Sequence, residues 1–371
     1  MYEAKVLTTK DEKEWLTLLE KTDEPDIYFT PQYVKIYEEA YSKEIDEAFC
    51  GPCFLFFFGN DEEFVIYPFL KRRINDLPFM QKEKSEDYFD IISPYGYNGP
   101  LVSCNDKAKE KKLVKDFLKA FDRFCCDEKI IAEFIRFHPI LKNYEVFENY
   151  LKIDRRNTTV YVDLIKSEEK ILAEMDRKTR NLMRKAEKKG IVVEESKKRE
   201  DLKTFTNLYL ETMEKNKASA KYLFPLEFYE NTVKLLKDDI TIFTAKYGGK
   251  IIAASMFMHK YGFLHYHFSG SASEYRTMAP NNLLLWKAIL WGKKKGYKRF
   301  HLGGGNGKDD DLFRFKAGFS KDYCRFCSAG VIHDEKMYKQ LCALKDKFEK
   351  EQGKTKLESD FFPYYRKIVE E

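Results

Sequence analysis

Ile240-Thr-Ile-Phe-Thr-Ala-Lys246, Gly248-Gly249 and Ile251-Ile-Ala-Ala-Ser-Met-Phe-Met258 read as two β-prone runs joined at hairpin spacing. Phe263-Leu-His-Tyr-His-Phe268 supplies a third strand. From Asn282 to Lys295 the residues Leu284, Leu285, Ala288, Ile289 and Gly292 recur at helical spacing, with Pro280 just ahead and Gly296 just past the end. Lys298-Arg-Phe-His-Leu302 is a short strand, and Gly303-Gly304-Gly305 follows it directly. A helix between the third and fourth strands implies a crossover and at least one parallel pairing. The charged aromatic run Phe313-Arg-Phe-Lys-Ala-Gly-Phe-Ser320 closes the stretch.

The first half repeats this order. Ala48 to Phe58, the turn Gly59-Asn60-Asp61 and Phe64 to Leu70 form a hairpin pattern, and Tyr88 to Ser93 gives a third strand. A loop rich in breakers and tyrosines, Ser93 to Pro100, comes next. Lys112 to Cys125 is helical, with Leu113, Phe117, Ala120, Phe121 and Phe124 on one face, and Ile130 to Phe137 is again a strand. Strand, strand, strand, helix, strand therefore occurs twice, a duplication of pattern without identity. With 371 residues the chain is long enough for two cores.

Hydrophobic residues are 43% and aromatics 16%, which excludes a disordered chain, and a net charge of +5 permits a polyanionic partner without demanding one. The densest apolar run, Phe54-Leu-Phe-Phe-Phe58, is too short to cross a bilayer, and Met1 to Leu7 has no signal core. The expected location is the cytoplasm, with eight irregularly spaced cysteines kept reduced.

The pattern in full is α/β (α+β), and it resembles the N-acetyltransferase-like (GNAT) fold as the Fem family of aminoacyl transferases uses it. The resemblance is carried by Ser269 to Arg276 ahead of Ala279-Pro-Asn281, by Leu302 to Gly305 ahead of Phe315-Lys316, and most sharply by Leu302 to Asp322. It implies two tandem GNAT-like domains of mixed sheets flanked by helices, residues 1–155 completed by a C-terminal tail at 335–371, and residues 156–334 carrying the Phe-Lys signature. It implies transfer of an aminoacyl group from aminoacyl-tRNA to an amine of a peptide or a sugar-nucleotide-linked cell-envelope precursor, with no cofactor besides that co-substrate; no metal is expected from the residue spacing, and a monomer is favoured with the oligomeric state left open.

Lys316 is expected to stabilise the oxyanion of ester aminolysis, Phe315 to pack the donor, and His138 or the substrate to manage the proton. Lys35 stands where the family binds a diphosphate. Tyr95, Tyr97, Lys221, Tyr266, Phe268, Arg276, Gly303, Gly304 and Gly305 complete the expected substrate-binding set. Two positions depart from the family: His138 replaces an aspartate near the acceptor amine, and Phe224 an acceptor-binding arginine.

Acetyltransferases of this fold hold coenzyme A pyrophosphate on backbone N–H groups at the start of the helix after the family's fourth strand. Here Ala279 replaces the close-approach glycine and Pro280 removes one donor. An acyl-CoA-dependent N-acyltransferase acting on an amino sugar or peptide is the second reading, and a non-catalytic RNA- or peptide-binding module the third. Gly303-Gly-Gly-Asn-Gly-Lys308 lacks the first glycine and the Ser/Thr of a nucleotide-binding P-loop. Cys50-Gly-Pro-Cys53 precedes strand chemistry where a redox motif needs a helix.

Ser167 to Gly190 is read as one amphipathic helix capped by Ser167. Its inward stripe is Leu172, Met175, Thr179, Leu182 and Ala186. Arg177, Lys178, Arg180, Arg184, Lys185, Lys188 and Lys189 cover its outer faces, either as a solvated surface or as a phosphate-tracking one. Lys336 to Lys350 is a further helix, and Phe361-Phe-Pro-Tyr-Tyr-Arg366 an aromatic tail that must dock.

Overall fold

A computed structural model describes residues 2–41, 51–81, 86–219, 222–305, 307, 310–354 and 360–367. The chain forms two compact units. The first takes residues 1–23, 28–156 and 327–371, the second residues 24–27 and 157–326. The division thus falls one residue after the expected 155, and at 326/327 inside a strand where 334/335 was expected.

In the first unit the order is β1 (Glu3–Thr8), α1 (Glu12–Glu20), α2 (Pro31–Tyr41), β2 (Cys53–Gly59), β3 (Phe64–Arg73), β4 (Phe89–Ile92), β5 (Leu101–Ser103), α3 (Lys107–Asp127) and β6 (Ile130–Arg136). β1 to β4 pair antiparallel in sequence, and β4 pairs parallel with β6 across the α3 crossover. Phe117, Phe121 and Cys125 of α3 pack on Phe56, Tyr67 and Phe69, so the expected apolar stripe is the buried one.

The second unit follows with β7 (Asp154–Asp163), α4 (Glu168–Glu174), α5 (Arg177–Lys188), β8 (Val192–Ser196), α6 (Arg199–Lys215), α7 (Leu226–Leu236), β9 (Ile240–Tyr247), β10 (Lys250–Lys260), β11 (Phe263–Ser271), α8 (Pro280–Lys294), β12 (Arg299–Gly304), α9 (Asp311–Ala317) and β13 (Asp322–Ile332). Its sheet runs β13, β7, β12, β11, β10, β9, β8. β11 and β12 are the parallel pair, joined through α8, whose Leu284, Leu285, Ala288 and Ile289 are buried against the sheet. Strand β13 returns the chain to the first unit, where Ser328 to Ile332 pair with β6.

α10 (Glu335–Glu351) and the aromatic tail close the first unit. Tyr365 is buried, Arg366 and Arg72 both donate to the fully buried Asp90, and Phe362 lies against Gly330. A doubly donated carboxylate away from water is held only if its charge is compensated, and two guanidinium groups compensate it here.

The expected single helix from Ser167 is two. Ser167 Oγ accepts from Lys170 N at 3.3 Å and caps α4, as expected, but α4 stops at Met175 and Asp176 takes the N-cap conformation of α5. The carbonyls left at the end of α4 are met by Arg180, whose guanidinium donates to Leu172 O at 3.0 Å and to Met175 O. Arg180 is therefore a structural cap and leaves the outer basic set.

α6 seats on β11 through Gly270, where a Cβ would stand 2.3 Å from the backbone of Leu208 and Tyr209. Gly270→Ala is expected to lower the unfolding free energy by about 1–3 kcal/mol, because backbone on both sides must shift. Urea unfolding of the variant measures it, and a loss under about 0.5 kcal/mol would show that α6 is not seated this closely.

Candidate active site

The β11–β12 ladder is three pairs long, Phe263↔Arg299, Leu264↔Phe300 and His265↔His301. Beyond it β11 continues on β10 to Ser271 and β12 continues on β7 to Gly304, so the two strands part. Each carries a β-bulge at the parting. On β11 the partners of Met256 and Phe257 are Phe268 and Tyr266, which leaves His267 as the extra residue. On β12 the partners of Tyr161 and Val160 are His301 and Gly303, which leaves Leu302. Bulges re-aim side chains, and Gly303, at φ +77°, adopts the left-handed backbone the second one needs.

Lys316 sits at this parting. The Phe-Lys signature lies on α9, and Lys316 is 8% exposed. Its Nζ donates to Gly304 O at 2.6 Å and stands 5.8 Å from the centre of the Tyr266 ring. Gly304 O is the acceptor it has among the described residues, so two of its three N–H directions are left for a substrate oxygen. Burial lowers its pKa from 10.5 to about 8, against the opposing pull of Asp310.

Asp310 fixes the helix that carries this lysine. Its carboxylate accepts from Phe313 N at 2.7 Å as the N-cap of α9 and from Gly307 N at 2.9 Å. A Cβ on Gly305 would meet Asp310 Oδ1 at 2.1 Å, and one on Gly304 would meet Thr158 O at 2.9 Å. The glycines thus permit contact of the turn with α9 and β7, a structural reason beside the expected approach of substrate. At the far end of α9, Gly318 O accepts from Asp176 N at 2.9 Å, and a Cβ on Gly318 would meet Thr179 Oγ1 at 2.4 Å. α5 is therefore docked directly on the end of the signature helix.

The structure brings Tyr266, Gly303, Gly304, Phe315 and Lys316 together. Phe315 packs edge-on against Phe319 at 5.5 Å. Phe268 is elsewhere, buried among Tyr209, Phe224, Phe228 and Tyr229 beneath α6 and α7. Strict alternation puts Tyr266 and Phe268 on one face; the bulge at His267 sends Phe268 to the other. Phe224, expected at an acceptor site, stacks on Phe228 at 4.1 Å in the same cluster. Arg276 is exposed on the turn before α8. Lys221 lies outside the described residues, as do Asn306, Lys308 and Asp309 of the glycine-rich run and Cys50 of the Cys-Gly-Pro-Cys motif. Cys53 opens β2 with no helix after it.

His265 is buried and its Nε2 is 2.7 Å from Asp26 Oδ2, with the His301 ring 5.8 Å away. His265 and His301 are both buried, under 3% exposed. Burial lowers the pKa of His267 to about 3, so this imidazole is neutral at physiological pH.

The remaining expected residues belong to the first unit. Lys35 on α2 is half-buried and 3.9 Å from Glu39. Tyr95 takes a hydrogen bond from Tyr33 on its carbonyl and lies under the Arg136 guanidinium at 5.7 Å. Tyr97 and His138 meet edge to face at 6.1 Å. His138 is fully buried, and its Nδ1 accepts from Leu141 N at 3.1 Å, which places the ring proton on Nε2. The Nδ1 lone pair is thus engaged by the backbone.

Residues 173–317 match a family model described as an acetyltransferase (GNAT) domain. The crystal structure of FemX superposes with a TM-score of 0.67 over 91% of this chain and 99% of that one, at 15% identity. A conserved protein of unknown function from Bacteroides thetaiotaomicron does so with a TM-score of 0.55 over 89% and 100%, at 11% identity. No curated protein matches the chain by sequence. Residues 173–317 therefore carry an acetyltransferase-type (GNAT) domain. The fold of the whole chain is the one seen in FemX. Among the described residues no helix is long and apolar enough to cross a membrane.

The depressed pKa of Lys316 has a consequence for stability. The folded value of about 8 lies below the ordinary 10.5, so between them the unfolded chain binds the extra proton and stability rises with pH; below 8 the full cost of the buried charge is present. Subtracting Lys316→Met from wild type is expected to leave a pH-dependent difference of about 3 kcal/mol across that window. Thermal unfolding of both proteins from pH 7.5 to 10.5 measures it, and parallel curves would mean the ammonium is solvated. The small midpoint change expected of an exposed lysine does not apply to this buried one.

Proposed function

We propose that the protein transfers an aminoacyl group from the 3′ end of a tRNA to an amine of a peptide or cell-envelope precursor. The amine nitrogen bonds to the ester carbonyl carbon, the bond to the ribose oxygen breaks, and the proton lost by the amine ends on the leaving hydroxyl. The observation that carries the reading is the Lys316 ammonium, fixed by Gly304 O where β11 and β12 part, with N–H groups left for a developing oxyanion. A preorganised cation in a water-poor site is worth more to such a charge than one in water. His138, engaged through Nδ1, favours passage of the proton through the substrates' own groups.

The start of α8 supports a donor other than coenzyme A. Ala279 holds φ +59°, a conformation that favours glycine, and Pro280 fills the first helical position without an N–H. Acyl-CoA-dependent N-acyl transfer is the second reading, favoured by the family match over residues 173–317. Calorimetry separates them. Acetyl-CoA is expected to bind with a Kd of about 1 mM or weaker, an affinity of only about −4 kcal/mol. Micromolar binding would overturn the tRNA-dependent reading in favour of the second.

Activity supplies the direct check. Lys316→Met is expected to lower turnover by roughly 10² to 10³, and the wild-type rate to fall as pH rises through about 8, where the ammonium is lost. Single-turnover rates with a charged tRNA from pH 6 to 9.5 test both, and full activity of the variant would remove Lys316 from the site.

A further inference from the structure

The outer face of α5 is cationic to a degree that its own stability does not explain. At 100° per residue, Arg177, Lys178, Asn181, Arg184, Lys185, Lys188 and Lys189 fall within one arc of about 140°, opposite the buried Thr179, Met183 and Ala186. All seven are exposed, and among the described residues none of the six cations forms an ion pair. The one carboxylate of the helix, Glu187, lies outside the arc and pairs with Lys287 at 3.0 Å. A merely solvated helix laces its surface with both signs. Lys185, Lys188 and Lys189 complement the negative end of the helix dipole, but Arg177 and Lys178 stand in the first turn, where the dipole is positive and opposes them.

Position adds to composition. α5 begins where α9 ends, through Asp176 N to Gly318 O and the close contact of Gly318 with Thr179, so the cationic arc runs for about 17 Å away from the helix that bears Lys316. Arg184, Lys185, Lys188 and Lys189 also line a shallow concavity together with Asn181. The arc carries no exposed apolar side chain, whereas a helix that docks on a lipid surface needs one to insert between headgroups. Regularly spaced cations with nothing apolar between them fit a regularly spaced anion, the phosphate backbone of a nucleic acid.

We infer that the exposed face of α5 is an RNA-phosphate track, which leads the 3′ arm of the donor toward Lys316. The inference rests on the RNA-dependent reading above, and its test is a binding measurement that needs no turnover. A fluorescently labelled hairpin RNA with a single-stranded 3′ end is titrated with the full chain at salt concentrations from 50 to 300 mM. Arg177→Gln, Arg184→Gln and Lys188→Gln together are expected to weaken binding at 100 mM salt about tenfold or more and to reduce the slope of log K against log salt by about two to three. The same charge removal on α3 of the first unit, Lys111→Gln, Lys112→Gln and Lys115→Gln, should leave the slope at the wild-type value. These six side chains are exposed, so all three proteins should melt alike.

Equal slopes for wild type and the α5 variant would overturn the track. Binding to phosphatidylglycerol vesicles through α5, with none to the hairpin, would overturn it in favour of a membrane surface. An α5-dependent salt slope in a protein that transfers no aminoacyl group would leave the track standing and refute the proposed function alone.

Discussion

The parting of β11 and β12 after three paired residues is the constraint on which the second unit's chemistry depends. Parallel strands in a closed ladder leave no room between them, and their N–H and C=O groups are consumed by each other. Here each strand leaves with its other neighbour, and a bulge on each makes the departure possible. Gly304 O then faces a side chain in place of a ladder partner, and Lys316 meets it. A buried ammonium is costly unless it is hydrogen-bonded. One carbonyl and one tyrosine face answer that cost in part, and the lowered pKa records what they do not answer.

Much of this was legible in the residues. The two hairpins, the crossover helices and the parallel pairs followed from periodicity and from breakers such as Gly248-Gly249, Pro280 and Gly296, because each signal is local. What failed was set by partners distant in sequence. No property of Phe263 to Phe268 alone announces that His267 is extra; the bulge exists because β10 pairs with it out of register, and it is the bulge that removes Phe268 from the site. Arg180 looked like one more surface cation because its acceptors, the carbonyls of Leu172 and Met175, are created by a helix end the pattern ran through. That end was readable: Asp176 before a basic helical run is an N-cap signal. Asp310 before Phe313 to Lys316 is the same signal, and it would have placed the signature on a helix.

The two units differ in what their polar residues are for. In the first, the Tyr33 hydroxyl meets the Tyr37 hydroxyl and the Tyr95 carbonyl, and Asp90 joins the tail to the sheet. Such networks specify a single arrangement when every member is partnered. In the second, His259 is held between Thr241 and Tyr297 through both ring nitrogens, and burial lowers its pKa to about 4. Lys316 stands apart from these, a charged group with donors to spare.

Lysine suits that position better than arginine would. A guanidinium resists deprotonation and presents a planar fork that a single carbonyl and a single ring cannot satisfy. An ammonium is a compact charge with three N–H directions, one of which Gly304 O fixes here. It also titrates within reach of neutrality when buried, so the environment that positions it sets its charge as well. α9 is only seven residues long, and its hold on Lys316 comes from its ends: Asp310 at the start and the contact of Gly318 with α5 at the finish. A short helix clamped at both termini couples the position of one ammonium to the seating of α5, and in the proposed reaction this would connect the basic helix to the site mechanically as well as electrostatically.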